Sequence, residues 1–255
     1  MDRTPQSVVV TGGNTGIGAA IVEAFGRAGA NVVMDYVAHP EANAAIERQV
    51  AETGGRVVAV DADITCDAGL EALRAAAVEN FGRLDVWVNN AGIETRRSLL
   101  ETTREDFEKV MAVDLAASYF GAQVAARQFV DQGGGGVIVN VSSVHEDWPM
   151  PGNTAYCVAK GGIRMLTRTA GVELGPKGIR VVNVAPGAVD TPINTATMND
   201  PEQRRTLTGA IPLGTVASPQ QIGDVVAFVS SEAASYITAT TVVVDGGIMQ
   251  GSVGL

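Results

Sequence analysis

Two residues with complementary chemistry stand four positions apart in the stretch 154–174, Tyr156 and Lys160. The stretch has a helical pattern, and this spacing places both side chains on one helical face, about 6 Å apart along the axis. An ammonium group at that distance lowers the pKa of a phenol below its usual value of about 10. Such a pair takes a proton from an alcohol or returns one to a carbonyl. An ordinary surface pair is the alternative, so the spacing needs support from other residues.

A hydroxyl group gives that support. Ser142-Ser143 comes directly after the Val-rich run 137–141, which is typical of a buried strand. Side chains at the carboxyl end of a parallel strand face the crevice where ligands bind. Ser143 is therefore a candidate to donate a hydrogen bond to the oxygen that Tyr156 protonates. A turn or capping serine is the alternative.

A glycine-rich loop joins the first predicted strand to the first predicted helix. Gly12, Gly16 and Gly18 form a G-x-x-x-G-x-G pattern rather than the commoner G-x-G-x-x-G. Glycines in this context let the backbone turn and let a pyrophosphate approach the helix N-terminus, whose N–H groups are unpaired. The loop predicts a dinucleotide site, with an ordinary glycine-rich turn as the alternative.

Short Val-rich runs alternate with helical patterns along the chain, which predicts a parallel sheet with helices on both faces. The predicted strands are 7–11, 31–35, 56–61, 85–89, 137–141, 180–185 and 241–245, and the predicted helices are 16–28, 40–52, 66–81, 104–132, 154–174 and 219–230. Residues 186–218 lack a clear period and are expected to form a lid or a binding loop. No linker interrupts 1–255, which is expected to be one domain.

Composition excludes several classes of function. The 255 residues carry a net charge of −10, which argues against nucleic acid or an anionic membrane as a partner. No apolar run is long enough to span a bilayer, and residues 1–6 do not look like a signal peptide. Two cysteines and two histidines make neither a disulfide framework nor a metal cluster. A cytoplasmic protein with a small-molecule substrate and no metal is expected.

These motifs, in this order, resemble the short-chain dehydrogenase/reductase family over essentially the whole chain. Beyond the glycine loop, Ser143, Tyr156 and Lys160, the resemblance rests on Asp63, on Asn89-Asn90-Ala91-Gly92, and on Pro186-Gly187 with Thr191. It implies a Rossmann-type, doubly wound, seven-stranded α/β domain that transfers hydride to or from a nicotinamide. It assigns Tyr156 as acid/base, Lys160 to lowering its pKa and holding the nicotinamide ribose, and Ser143 to the substrate.

The resemblance also implies a set of cofactor contacts. They are Gly12, Asn14, Thr15, Gly16, Ile17, Gly18, Tyr36, Asp63, Ile64, Asn90, Ala91, Gly92, Val113, Tyr156, Lys160, Pro186, Gly187, Val189 and Thr191. Tyr36 falls where an acidic residue would bind the adenosine ribose and repel a 2′-phosphate. No arginine follows it to bind that phosphate. The site is expected to accept NADP or NAD, with a slight preference for NADP.

Several segments resemble bacterial glucose 1-dehydrogenases, which implies a sugar or polyol pocket. Glu94, His145, Glu146 and Asn194 would flank it, together with Ser143 and Tyr156. Smaller residues at 152–155 replace the bulk expected before the tyrosine, so glucose itself is not assured. The alternatives are a carbonyl, 3-oxoacyl or steroid reductase and a non-catalytic dinucleotide sensor. Arg96 and Arg97 keep the acyl option open.

Position 114 and two long helices carry further expectations, about the proton relay and about self-association. Where many family members carry an asparagine that starts a water relay to the lysine, this chain has Asp114. A carboxylate accepts hydrogen bonds but does not donate them as an amide does, which puts the relay in doubt. The resemblance implies that helices 104–132 and 154–174 pair across a two-fold axis in a homotetramer. Their outward faces would carry Phe120, Val124, Met165, Leu166 and Thr169.

Overall fold

One seven-stranded sheet organises the chain. The computed structural model describes residues 5–251, apart from the side chains of Ile193 and Ala196. The predictions for the chain start and for the full range 1–255 lie partly outside the described residues. The strands are β1 Ser7–Val10, β2 Asn31–Tyr36, β3 Arg56–Asp61, β4 Val86–Asn89, β5 Gly136–Val141, β6 Ile179–Pro186 and β7 Thr240–Val244. Their order is β3-β2-β1-β4-β5-β6-β7, and every neighbouring pair is parallel.

Helices follow most strands and cover both faces. They are α1 Gly16–Arg27, α2 Pro40–Ala51, α3 Asp67–Phe81, α4 Arg104–Val110, α5 Ala117–Gln132, α6 Thr154–Leu174, α7 Thr195–Asn199, α8 Pro201–Ala210 and α9 Pro219–Ser230. The doubly wound α/β fold predicted from the sequence is confirmed.

Alternation along the central strands builds one core on each face. In β1, Val8 and Val10 pack with Ile21 and Phe25 of α1. Val9 points the other way and packs in the second core, which includes α3 and α5. The continuous apolar strands follow from this burial on both faces.

Two predicted segments differ from the structure. The single helix expected over 104–132 is interrupted by a π-helical segment, Met111–Ala116, between α4 and α5. The stretch 186–218 is not irregular, because it contains α7 and α8. Asp200 caps α8 by accepting hydrogen bonds from the N–H groups of Glu202 and Gln203. The sequence of α8 has no clear apolar periodicity, because the helix is largely polar and none of its residues is buried.

A row of polar side chains crosses four neighbouring strands. Asn89 of β4 is in register with Asn140 of β5, Asn140 with Asn183 of β6, and Asn183 with Thr241 of β7. The Nδ2 of Asn89 donates to Asn140 Oδ1 at 2.8 Å, and Asn183 Nδ2 lies 3.3 Å from Thr241 Oγ1. The three asparagines are at most 3% exposed.

The sheet reverses its winding between β1 and β4, and the loops that leave these strands are bonded to each other. Asn90 donates from its backbone to Thr11 Oγ1 and from its side chain to the Thr11 carbonyl, both at 2.9 Å. Ligands of open α/β sheets bind at such a switch point, outside the carboxyl ends of the strands. The fold therefore directs attention to the loops after β1 and β4.

Candidate active site

The loop between β1 and α1 needs glycine for steric reasons. Gly12 and Gly16 have φ values of +62° and +52°, in the left-handed region that favours glycine. A Cβ atom at Gly18 would lie 1.9 Å from the Gly12 carbonyl oxygen. The backbone therefore passes over the first turn of α1 more closely than any other residue would permit.

The N-terminus of α1 opens into this loop. Its N-cap, Thr15, makes no side-chain hydrogen bond to the helix, so the first N–H groups of α1 are left for another acceptor. Asn14 fixes the loop from the side by donating from Nδ2 to the Ala38 carbonyl at 2.7 Å. This arrangement is a preformed anion site of the kind that binds a pyrophosphate.

The end of β2 carries two residues with different roles. Tyr36 is half-buried and lines the cleft. Asp35 is 3% exposed, and its carboxylate accepts a hydrogen bond from the Gly12 N–H beneath the glycine loop. Burial raises the pKa of Asp35 from its usual 3.8 to about 7, although the Gly12 hydrogen bond lowers it. The sequence did not point to this carboxyl as part of the loop.

Tyr156 lies in the first turn of α6, beside Ser143 at the end of β5. The Ser143 side chain lies close enough to Tyr156 to lower the pKa of the phenol as a hydrogen-bond partner. The Ser143 hydroxyl also accepts a hydrogen bond from the His145 N–H at 3.2 Å. The His145 ring packs edge-on against Tyr156, with centroids 6.4 Å apart. The predicted Ser143–Tyr156 pair is thus brought together at one sheet edge.

Lys160 sits on the same face of α6, one turn after Tyr156. Its ammonium lies 5.2 Å from the Tyr156 ring centroid and donates to the Val141 carbonyl at 3.3 Å. Asp114 Oδ2, in the π-helical segment, is 3.3 Å from Lys160 Nζ. Its other oxygen, Oδ1, accepts from the Ile93 N–H at 2.8 Å. The aspartate thus holds the lysine by a direct ion pair.

These buried groups shift one another's pKa values. Burial raises the pKa of Tyr156, while Lys160 and the hydrogen bond with Ser143 lower it, and the net direction is upward. The prediction of a phenol more acidic than free tyrosine is therefore wrong in net sign, because desolvation outweighs the ammonium. Burial lowers the pKa of Lys160, but Asp114 and Tyr156 raise it, and the net direction is again upward. Burial raises the pKa of Asp114 and Lys160 lowers it, and the net direction is upward.

A single cleft of about 460 Å³ joins the glycine loop to Tyr156 and Lys160. Of the predicted cofactor contacts, it is lined by Gly12, Asn14, Thr15, Gly16, Ile17, Gly18, Tyr36, Asp63, Ile64, Asn90, Ala91, Gly92, Val113, Tyr156, Lys160 and Thr191. Pro186, Gly187 and Val189 are not part of this lining; Val189 is 3% exposed and bridges to Ala217. Asn89 also turns away, into the polar row across the sheet.

The cleft has lining residues that the sequence did not single out. They include Val37, Ala38, His39, Thr65, Ile93, Lys109, Val141, Ser142 and Pro192. Most of them are sequence neighbours of a predicted residue, so their position near a strand end is the feature of the sequence that could have predicted them. Lys109 is different, because it reaches the cleft from α4.

The predicted substrate residues divide into two groups. Glu94 lies close enough to raise the pKa values of Tyr156 and Lys160, and its Oε2 is 2.8 Å from Arg96 Nε. Asn194 Oδ1 is 3.4 Å from Arg96 Nη2, which links the segment after β4 to the turn before α7. Glu146, also predicted to flank the substrate, points into the protein. Its side chain is 3% exposed and accepts from Thr241 Oγ1 at 2.7 Å.

Family membership follows from comparison with known proteins. A family model described as "Enoyl-(Acyl carrier protein) reductase" matches residues 12–249. The chain belongs to the short-chain dehydrogenase/reductase family. It is an oxidoreductase, since its relatives in this family are named dehydrogenases.

Three similar proteins differ in the substrate that their names give. The 3beta-hydroxysteroid dehydrogenase 1 of Eggerthella lenta is 41% identical over 97% of this chain and 95% of its own length. Glucose 1-dehydrogenase 2 of Bacillus subtilis is 37% identical over 97% of this chain and 96% of its own. The crystal structure of acetoin dehydrogenase from Enterobacter cloacae has a TM-score of 0.89 and 33% identity, covering 100% of this chain and 99% of its own. These names leave the substrate of this short-chain dehydrogenase open.

Residues 5–251 hold neither of two other kinds of feature, a metal-binding cluster or a membrane-spanning helix. No group of three or more His, Cys, Asp or Glu side chains there is arranged to hold a metal ion. None of the helices in this part of the chain combines the length and the apolar character needed to cross a membrane.

Proposed function

We propose that this short-chain dehydrogenase transfers hydride between a nicotinamide dinucleotide and a secondary alcohol or the corresponding carbonyl, with a sugar or polyol as substrate. The observation that carries the proposal is the position of Tyr156, which neighbours Ser143 and lies beside Lys160 in the cleft that begins at the glycine loop. Proton donor and anion site thus share one cavity.

Each catalytic side chain has a role that its contacts support. Tyr156 is held as a neutral phenol and donates its proton to a carbonyl oxygen, or receives one from an alcohol through the reverse step. Ser143 donates to the same oxygen and stabilises its developing charge. Lys160 stays cationic and favours the ionised phenol as the proton leaves. Asp114 fixes the direction of the ammonium.

The cleft fits a nicotinamide dinucleotide, which supplies the hydride when it is bound. The open N-terminus of α1 suits the pyrophosphate, and the close contact at Gly18 leaves the backbone exposed to it. Asp63 and Ile64 would hold the adenine. Tyr36 is uncharged and leaves room for a 2′-phosphate, so we infer that the enzyme accepts NADP and NAD with a slight preference for NADP.

A polyhydroxy substrate suits the polar residues on the far side of Tyr156. Glu94 is near enough to act on the charge of Tyr156, and the His145 ring lies against it. With Asn194, these side chains offer acceptors and donors to hydroxyl groups next to the reacting carbon. The two arginines that would bind an acyl carrier are already paired, Arg96 with Glu94 and Arg97 with Asp106.

A hydroxysteroid is the second candidate. It is favoured by the name of the 41% identical relative and by Trp148, which is 40% exposed and stacked on His145 with centroids 6.1 Å apart. A flat apolar surface next to the proton donor suits a ring system better than it suits a sugar.

Self-association in the cytoplasm is also part of the proposal. Tyr119 and Phe120 of α5 and Met165 of α6 are 50%, 44% and 57% exposed, which supports pairing of these helices in a homotetramer. Of the other side chains predicted on this face, Thr169 is exposed, Leu166 is half-buried and Val124 belongs to the core. A monomeric mass in light scattering would contradict the assembly.

The proposed reaction is tested by a spectrophotometric screen at about 340 nm, where nicotinamide dinucleotides absorb only when reduced. Sugars, polyols, ketones and hydroxysteroids are each offered with NAD and NADP. Sugar or polyol oxidation supports the first candidate, and steroid turnover supports the second. Tyr156→Phe should still bind the dinucleotide and lose nearly all turnover. Normal turnover in that variant would remove Tyr156 as the acid/base.

A further inference from the structure

The loop that carries Ser143 and His145 is anchored by the two acidic residues that follow. Residues 144–146 form a single 3₁₀ turn that Ser143 caps. The Glu146 N–H donates to the Ser143 carbonyl at 3.0 Å, and the His145 N–H donates to the Ser143 hydroxyl. The position of Glu146 therefore sets the position of the Ser143 hydroxyl.

Glu146 is tied to the sheet by neutral donors. Its Oε1 accepts from Thr241 Oγ1 of β7 at 2.7 Å, and its Oε2 accepts from Asn183 Nδ2 of β6. With a side-chain exposure of 3%, this carboxylate has lost its water and needs compensation by charge.

Arg164 supplies that charge from α6. Its Nε lies 3.8 Å from Glu146 Oε1, and its Nη1 donates to Asp147 Oδ1. Arg164 follows Tyr156 by eight residues, so it sits about two turns further along the same helix. A single guanidinium thus joins the helix that carries Tyr156 to the loop that carries Ser143.

We propose that Arg164, Glu146 and Asp147 form a clamp that fixes the Ser143 hydroxyl relative to the Tyr156 hydroxyl. Its members are positioning residues, because they act through Ser143 and do not touch the reacting atoms. The inference rests on the proposed roles of Ser143 and Tyr156. Efficient proton transfer requires donor and acceptor oxygens at hydrogen-bond distance, and a shift of about 1 Å can cost roughly 100-fold in rate.

Two substitutions open the clamp from opposite sides. Arg164→Met keeps most of the volume and removes the charge, which leaves Glu146 buried without a counter-ion. Glu146→Gln replaces one acceptor oxygen by an NH₂ group that faces the donors of Asn183 and Thr241. Arg164→Lys restores a charge without the planar guanidinium. Arg168→Met is the matched control, because it removes the same charge from an exposed position one turn along α6.

The expected result is a fall in kcat with an intact dinucleotide site. Arg164→Met and Glu146→Gln should lower kcat by about 10- to 100-fold. Dinucleotide Kd, measured by fluorescence titration, should stay within about twofold, because the clamp does not line the cleft. Arg164→Lys should recover part of kcat, and Arg168→Met should match the wild type. Assays run below the unfolding temperature of the least stable variant, so that folding losses do not enter kcat.

A double variant separates positioning from general destabilisation. If the clamp acts through Ser143, adding Arg164→Met to Ser143→Ala should lower kcat no further than Ser143→Ala alone. Hydrogen exchange read by mass spectrometry should accelerate in residues 143–148 of the clamp variants and stay unchanged in the glycine loop.

The outcomes are distinct from those of the proposed function. Unchanged kcat in both clamp variants, additive losses in the double variant, or unchanged exchange over 143–148 overturns the clamp. Full turnover by Tyr156→Phe overturns the acid/base role instead, whatever the clamp variants do. If no compound in the screen is turned over, the proposed function fails and hydrogen exchange alone decides whether the clamp holds the loop.

Discussion

The carboxylate of Asp114 lies 3.3 Å from the ammonium of Lys160, and both side chains are almost completely buried. The π-helical segment that holds Asp114 widens the helix at this point and turns the carboxylate towards α6. Gly92 makes room for the pair, because a Cβ there would lie 3.0 Å from Asp114 Oδ2 and 3.3 Å from Lys160 Nζ. An ion pair therefore occupies the place where the family resemblance implied an amide.

Asp114→Asn should retain turnover and shift its pH profile. The carboxylate raises the pKa values of both Lys160 and Tyr156, so its removal lowers both. We expect the profile of kcat against pH to move down by about one pH unit. Asp131→Asn, which removes an exposed carboxylate from α5, should leave the profile unchanged. Loss of all turnover in a folded Asp114→Asn protein would contradict this account.

Asp35→Asn should flatten the pH dependence of stability. The folded protein holds a proton on Asp35 up to about pH 7, whereas the unfolded chain releases it near 3.8. The stabilisation is full below the lower value and is lost as pH rises through the higher one. The unfolding temperature of the wild type should therefore fall between about pH 4 and 7, relative to that of the variant. An equal slope in both proteins over this window would be evidence against a buried, titrating Asp35.

The same carboxyl should affect dinucleotide binding. Asp35 lies beneath the loop proposed to hold the pyrophosphate, so its ionised form repels the ligand. The Kd for the dinucleotide should rise roughly 3- to 10-fold from pH 6 to pH 8 in the wild type and much less in Asp35→Asn. Calorimetric titration at both pH values measures this. A wild-type Kd that does not change with pH would argue against the coupling.

Gly18→Ala should abolish dinucleotide binding. The added Cβ would meet the Gly12 carbonyl at 1.9 Å, so the loop has to move off the N-terminus of α1. We expect Kd to rise by at least about 100-fold together with a lower unfolding temperature. Gly209→Ala is the control, since no atom outside the backbone of α8 itself lies within 4 Å of its added Cβ. That change should stabilise the protein by about 0.5–1 kcal/mol. Tight binding by Gly18→Ala would show that the loop has another conformation.

Tyr36→Asp should change cofactor preference. A carboxylate at the end of β2 would accept hydrogen bonds from the ribose hydroxyls of NAD and repel the 2′-phosphate of NADP. The ratio of the NADP Kd to the NAD Kd should rise at least about tenfold. Tyr36→Asn separates charge from size and should change the ratio less. A wild-type enzyme with a large preference for NAD would overturn the preference proposed above.

The fold and the cleft were accessible from sequence because each rests on a local rule. Continuous valine runs indicate strands that are buried on both faces. Gly12, Gly16 and Gly18 predict the turn into α1. Tyr156 and Lys160 share a helical face by spacing alone. The direction of the pKa shift of Tyr156 could not be predicted from sequence, since it depends on how deeply the folded protein buries the phenol.

Other features depend on contacts between distant parts of the chain. Glu146 resembled a substrate residue because it follows His145, but its partners Asn183 and Thr241 lie 37 and 95 positions away. The π-helical break in the predicted helix 104–132 could not be predicted, because the sequence around Asp114 has no pattern that marks a π-helix. The bond between the Asp35 carboxylate and the Gly12 N–H likewise joins residues 23 positions apart, so no local pattern predicts it.

The polar row across β4, β5, β6 and β7 has a consequence for how the sheet assembles. Amide side chains have distinct donor and acceptor ends, so neighbouring asparagines match only when their strands are aligned residue for residue. Shifting β5 by a single position would set Val139 or Val141 against both Asn89 and Asn183 and leave buried polar atoms unsatisfied, at a cost of about 1–3 kcal/mol for each. Misaligned sheets are thereby rejected during folding, and valine-rich strands that could slide past one another are held to one alignment.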